Sequence, residues 1–154
     1  MSEASNRPHE FRLDLPAVHR SVRVARNLVH RFARLEGLGQ EEADTLSLIT
    51  SELLGNVVDH GGGGGAMHEG EADRDIRMEL RIALSESDWV LEVTDEGGGD
   101  PAELAAQLEN CEAFDLEHDR GRGLFLLKSS VDELSVLPSR SGTGITIEAR
   151  CARR

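Results

Sequence analysis

The chain has only two cysteines in 154 residues, Cys111 and Cys151, and neither sits in a CxxC or Cys/His spacing. Two cysteines so placed support neither a disulfide framework nor a structural zinc site, and both read as free thiols. Long apolar runs are missing as well. None approaches the roughly 20 residues that span a bilayer, and the opening MSEASNRPHEFRLD lacks the apolar centre of a secretory signal. The expectation is a soluble cytoplasmic protein without a membrane segment. Positive charge is scarce too: 17 Lys and Arg against 29 Asp and Glu leave a net charge of -12. Direct nucleic-acid binding, which rests on cations neutralising phosphates, is therefore not expected. The scarcity is uneven, because seven Arg and three acidic residues fall within the first 34 positions. A basic stretch of this kind suits docking to an acidic partner or, more commonly, a solvated helix face.

What is present has the size of one domain, able to bury roughly 70% of the surface its unfolded chain exposes. EFRLDLP alternates apolar and polar residues and stops at Pro16, which predicts a short strand. Val18, Val22, Ala25, Val29 and Phe32 then recur at helical spacing, with Arg20, Arg23, Arg31 and Arg34 off that stripe; this amphipathic helix ends near Gly37. A second helix starts around Gln40, with Glu41, Glu42 and Asp44 where negative charge suits the helix dipole, and runs to the glycines after His60. From Asp75 the period becomes two, and IRMELRIAL, SESD and WVLEVTD read as a β-hairpin. PAELAAQLEN offers a short helix, LFLLKSSVDEL a third long one, and LSVLP and ITIEARC two last strands around SRSGTG. The order suggests an α/β (α+β) two-layer sandwich: a mixed, mainly antiparallel sheet with helices on one face. The expected organisation is a flexible N-terminus over 1–10 and one domain over 11–151, with a mobile Gly-rich loop over 61–73.

Four constellations bear on chemistry. Glu52 and Asn56 are four apart and share a helix face, with His60 one turn further. A carboxylate can take a proton from an attacking hydroxyl, and a neutral amide oxygen can ligate Mg²⁺; alone, the pair is also what a solvent-facing polar stripe looks like. Asp95 closes a strand before Gly97, Gly98 and Gly99. An ionised carboxylate accepts without donating, so it can hold an exocyclic amine such as adenine's, or simply end a strand in a turn. DRGRGLFLL sets Gly121 and Gly123 just before a helix, where free N–H groups and the dipole attract anions and Arg122 or Arg120 adds a charged fork. It matches neither a P-loop nor a dinucleotide fingerprint. Last, Thr143 in SGTGITIEA could bond a phosphate or shape its turn.

Taken together, ExxxNxxxH, DEGGG, GRGL and GTG in this order resemble the four nucleotide-binding boxes of the histidine-kinase-like (GHKL) ATPase superfamily, whose nucleotide-binding core is the Bergerat fold. Within it, SELLGNVVDHG and the short interval to GRGL look most like the anti-sigma-factor serine/threonine kinases. The resemblance spans about Phe11 to Cys151. It implies ATP and Mg²⁺ as cofactors, with Glu52 as general base, Asn56 as Mg²⁺ ligand, Asp95 on the adenine amine and Gly97 and Gly99 shaping that wall. Gly121 and Gly123 would lie where a lid meets the phosphates, with Arg122 as a phosphate contact, and Thr143 near the adenine or its Asp. It also implies an anti-sigma factor that sequesters an RNA polymerase sigma factor, phosphorylates a serine of an anti-anti-sigma STAS-domain protein, and forms a homodimer. Val57 departs from the family's small residue, Asp59 adds a negative charge near the site, and the segment from Gly61 to Asp73 is unusually long and glycine-rich.

The alternative from a different class is an ATP-binding regulatory module that sequesters a partner without phosphoryl transfer. A detached histidine-kinase catalytic domain is a poorer match, since no stretch reads as a helical segment presenting a phosphorylated His. His9, His19 and His30 read as surface residues of the N-terminal segment. A metallohydrolase built from Glu52, His60 and His68 is disfavoured because flexible glycines separate His68 from the other two.

Overall fold

The computed structural model describes residues 7–60, 76–97, 99–109 and 119–154, without side-chain detail at 60, 119–122 and 124. The Gly-rich segment 61–73, His68, Gly98 and Cys111 lie outside the described residues.

Alternation over HEFRLDLP produces β1 (His9–Pro16), in which Phe11, Leu13 and Leu15 are half-buried and the residues between them exposed. It starts two residues before the expected domain boundary. The amphipathic stripe forms α1 (His19–Leu35), which buries Ser21, Ala25, Val29 and Ala33. Gly37 stops it: at φ 91° it takes the left-handed conformation, so that Leu38 N–H donates to Ala33 O at 3.0 Å and Gly37 N–H to Arg34 O at 3.2 Å. Both late carbonyls are thereby capped.

The second helix, α2 (Gln40–His60), runs 21 residues and packs along α1. The hairpin is β2 (Arg77–Leu84) and β3 (Asp88–Asp95), closed where Ser85 N–H donates to Asp88 O at 2.9 Å. Next comes α3 (Pro101–Glu109), started by Asp100, whose Oδ1 accepts the Ala102 N–H at 2.9 Å, with Pro101 at the first helical position. Then follow α4 (Asp119–Ser130), β4 (Glu133–Pro138) and β5 (Ile145–Ala152).

Two expectations are corrected. Among the described residues the sheet is not mixed: its order is β1-β2-β3-β5-β4 and every pairing is antiparallel. The last long helix also begins and ends earlier than LFLLKSSVDEL suggests. It takes in Gly121, Arg122 and Gly123 and stops at Ser130, because Glu133 and Leu134 pair with Arg150 and Ala149 of β5. Strand pairing there outweighs the helical spacing of Val131 and Leu134.

The helices cover one face of the sheet. Between the layers lie Leu46, Ile49, Leu53 and Leu54 of α2 and Leu80, Ile82, Leu91 and Val93 of the central strands, all at most 1% exposed. The single Trp, Trp89, is 1% exposed and pairs with Cys151 across β3 and β5. Burial, followed by the neighbouring Asp132, pushes the Cys151 thiol up, away from the reactive thiolate.

The other face is charged. Like charges stand directly opposite one another, Arg12 with Arg81 and Glu92 with Glu148. Ion pairs relieve them: Arg81 reaches Glu10 diagonally and Glu92 directly across, each at 3.3 Å, and Arg150 reaches Glu148 along β5 at 3.7 Å. Among the described residues, no helix is long and apolar enough to cross a membrane.

Leu53 is completely buried next to Glu52. Leu53→Ala should lower the free energy of unfolding by about 2–5 kcal/mol, read from the urea midpoint followed by Trp89 fluorescence. A shift below about 1 kcal/mol would mean that α2 is not pinned by this contact.

Candidate active site

The rotation of α2 follows from its apolar stripe. With Leu46, Ile49, Leu53 and Val57 turned into the core, Glu52 and Asn56 fall on the flank of that stripe, one turn apart and both half-buried. Thr50 and Ser51 return their hydroxyls to the carbonyls of Leu46 and Ser47, at 2.8 and 3.1 Å, so neither competes for a ligand. Val57, flagged as a departure from the family pattern, is 7% exposed and fills the core. Asp59, the extra negative charge, faces His19, whose Nε2 lies 3.1 Å from its Oδ1. His9 and His30 likewise face carboxylates, those of Glu36 and Asp44.

Gly123 of α4 lies against this pair. A Cβ added there would fall 2.7 Å from Glu52 Oε2 and 3.9 Å from Asn56 Oδ1. The fold therefore brings together three residues that the sequence separates by some seventy positions. Only glycine lets the α4 backbone lie this close to a half-buried carboxylate. Gly121 and Arg122 have helical backbones in the first turn of α4, where N–H groups lack intrahelical acceptors; the Arg122 side chain lies outside the described residues.

The Asn56 amide nitrogen is buried and has no hydrogen-bond partner among the described residues. An unmet carboxamide is costly. The carboxamide carries both a donor and an acceptor to offer a ligand. A neutral oxygen donor beside a carboxylate fits a hard divalent cation.

Asp95 is 8% exposed at the end of β3. Its Oδ1 accepts the Gly97 N–H at 2.8 Å, which shapes the turn. A Cβ on Gly99 would meet Ile145 Cδ1 at 2.8 Å, so this glycine lies against the start of β5.

The Thr143 hydroxyl donates to Glu96 Oε2 at 2.8 Å. The next residue lies against Asp95: a Cβ on Gly144 would stand 1.9 Å from the Asp95 carbonyl oxygen. The sequence reading missed Gly144, Glu96, Ser139 and Ser141. The available signal was the hydroxyl at every second position of SRSGT following a strand, with an acidic DE pair elsewhere to receive it. Hydrogen bonds from Ser141, then Thr143 and Ser139, hold the Glu96 carboxyl below the usual glutamate range.

Gly123→Ala would push the Glu52 carboxylate aside while leaving the α4 backbone in place, since the obstacle is the end of a side chain. The ATP-dependent activity that the resemblance implies should fall at least about tenfold, with the unfolding midpoint nearly unchanged. Wild-type rates in this variant would show that the close approach does not matter.

A family model described as histidine kinase-like ATPase domain matches residues 15–150. No curated protein sequence matches the chain. Among solved structures, a chain of the SiaB-SiaC complex from Pseudomonas aeruginosa is similar with a TM-score of 0.70 at 16% identity, over 94% of this chain and 90% of that one. The RsbU and RsbW domains of Rv1364c from Mycobacterium tuberculosis are similar with a TM-score of 0.61 at 16% identity, over 94% of this chain and 32% of that one. At such identity these two likenesses speak for the shared fold. With the family model matched over most of its length, the chain belongs to the histidine kinase-like ATPase domain family.

Proposed function

We propose that this protein is an ATP-binding anti-sigma factor and protein serine/threonine kinase that phosphorylates a serine of an anti-anti-sigma STAS-domain partner. The observation that carries the proposal is the meeting of Glu52, Asn56 and Gly123, with Glu52 Oε2 within 2.7 Å of where a Cβ on Gly123 would stand. A carboxylate that no ion pair neutralises among the described residues, beside an unmet carboxamide and under a helix start, is an arrangement for moving a proton next to phosphate.

In this reading Asp95 accepts the adenine amine, with Gly97 and Gly99 shaping the wall beside it. The first turn of α4, at Gly121, offers backbone N–H groups to the phosphates, Gly123 just beyond it lets the helix lie close to them, and Arg122 adds charge. Asn56 would hold Mg²⁺, which when bound neutralises charge on the phosphates. Glu52 orients the serine hydroxyl of the partner and takes its proton as the new P–O bond forms and the bond to the ADP oxygen breaks. Most of the rate enhancement is then positioning and electrostatics.

Partner docking is assigned to α1. Arg20, Arg23, Arg26 and Arg31 are exposed on it, and none has an ion pair among the described residues. Val24 and Leu28 are exposed beside them. Free arginines interleaved with apolar side chains, in a chain of net charge -12, suit an acidic protein surface. The similarity to the SiaB-SiaC complex and to the RsbU and RsbW domains is in keeping with a partner-binding regulator. The sigma factor as sequestered partner, and a homodimer as the working form, belong to the same proposal.

The test is incubation with labelled ATP and Mg²⁺ together with each STAS-domain protein of the same genome. Label on a single serine of one of them is expected. Absence of label on all of the candidates would sink the kinase reading and leave the ATP-binding regulatory module.

A further inference from the structure

Glu96 follows Asp95, so alternation along β3 turns its side chain away from the helix-covered face on which Asp95 is buried. One of its oxygens, Oε2, accepts three hydroxyls from the β4–β5 turn: Ser139 at 2.9 Å, Ser141 at 2.5 Å and Thr143 at 2.8 Å. The turn closes on itself around them. Ser139 Oγ accepts the Gly144 N–H at 3.0 Å, Ser139 N–H donates to Gly144 O at 3.0 Å and Gly142 N–H to Ser139 O at 2.9 Å. Ser139, though polar, is only 5% exposed. Gly144, at the end of the turn, is wedged against backbone atoms of both Asp95 and Glu96.

A strand end with glycines on its far side is soft, and an exposed turn carrying Ser, Thr and Gly is softer. Here each restrains the other. Charge-assisted hydrogen bonds are the stronger class, and three of them converge on one oxygen.

We propose that Glu96 is a positioning residue for adenine recognition: by gathering Ser139, Ser141 and Thr143 it presses Gly144 onto the Asp95 backbone and fixes where the Asp95 carboxylate points. This rests on the reading of Asp95 as acceptor of the adenine amine. Glu96 itself is exposed, beside the buried Asp95, and acts only through the Gly144 contact. The turn would then act as a clamp behind the base-reading carboxylate, and losing the clamp would cost base selectivity more than phosphate binding.

The test compares ATP and GTP affinities of the full chain, by calorimetry, for wild type, Glu96→Ala, Glu96→Gln, the pair Ser141→Ala with Thr143→Val, and that pair combined with Glu96→Ala. Glu96→Ala should weaken ATP about tenfold and GTP far less, so that the preference for ATP shrinks. Glu96→Gln keeps an acceptor oxygen and should restore most of that preference. The combined variant should be no worse than Glu96→Ala alone, because its partners are already lost. An unchanged ATP-to-GTP ratio in Glu96→Ala, or losses that multiply in the combined variant, would overturn the inference even if Trp89 fluorescence reports lower stability, because a purely structural role predicts that pattern. Should Glu96→Ala fail to fold, the Ser141/Thr143 pair must lower the ratio on its own or the inference falls. Wild type that binds ATP no better than GTP would overturn the reading of Asp95, and this inference with it.

Discussion

Glu52→Gln is expected to bind ATP within about twofold of wild type and to transfer phosphate to its protein substrate roughly 100 to 10,000 times more slowly, the range for losing a positioned general base. The carboxamide has the shape of the carboxylate, so the contact with Gly123, 2.7 Å from an added Cβ to Oε2, stays sterically the same. What disappears is the ability to take a proton. Glu52 is half-buried and lies one helical turn from Asn56, so its replacement should not disturb Leu53 and Leu54, which hold α2 to the sheet. Single-turnover transfer of labelled phosphate, beside equilibrium ATP binding, separates the two effects. A variant that transfers within about threefold of wild type would remove Glu52 from the chemistry. A variant that loses transfer yet keeps all of its regulation of the partner would favour sequestration without phosphoryl transfer as the biological role.

Gly144→Ala should be the most damaging single methyl group among the described glycines. The added carbon would stand 1.9 Å from the Asp95 carbonyl oxygen, 2.6 Å from Glu96 Cα and 2.8 Å from the Asp95 carbonyl carbon. All three obstacles are backbone, and Asp95 is held in register with Ile145 across β3 and β5. Relief therefore requires prising two strand ends apart, for which about 3 kcal/mol is a fair expectation by analogy with overpacked cores. ATP affinity should fall with it under the proposed function, which gives the displaced Asp95 the adenine amine. Gly99→Ala is the internal control: its obstacle is Ile145 Cδ1 at 2.8 Å, a side-chain end that can rotate, so the unfolding midpoint should barely move. Urea unfolding followed at Trp89 measures both. Equal midpoints for the two variants would show that the close approach at Gly144 is relaxed at no cost.

Much of the architecture was legible because it depends on local chemistry. Pro16 ends β1, Gly37 in the left-handed conformation ends α1, and Asp100 with Pro101 starts α3. Each of these signals acts within a few residues, so reading the chain in order is enough to find it. The change of period at the hairpin was equally plain. The start of α4 was less so: two glycines disfavour helix locally, yet DRGRG is helical where it crosses the Glu52–Asn56 pair. A mixed sheet was a reasonable expectation from element order, but strand direction depends on which edges meet, and β3 pairs with β5 rather than running parallel to a neighbour.

The sequence by itself determined the elements, the acidic character of the chain and the one-turn spacing of Glu52 and Asn56, since all of these are set by composition or by helical period. Only the tertiary structure decided that Gly123 is the residue laid against Glu52, that the Thr143 hydroxyl bonds Glu96, and that Gly144 lies against the Asp95 backbone. The physical reason is common to all three. Each contact joins residues distant in sequence through sheet register and helix placement, and a displacement of one residue along β5 would exchange which of Thr143 and Gly144 meets β3.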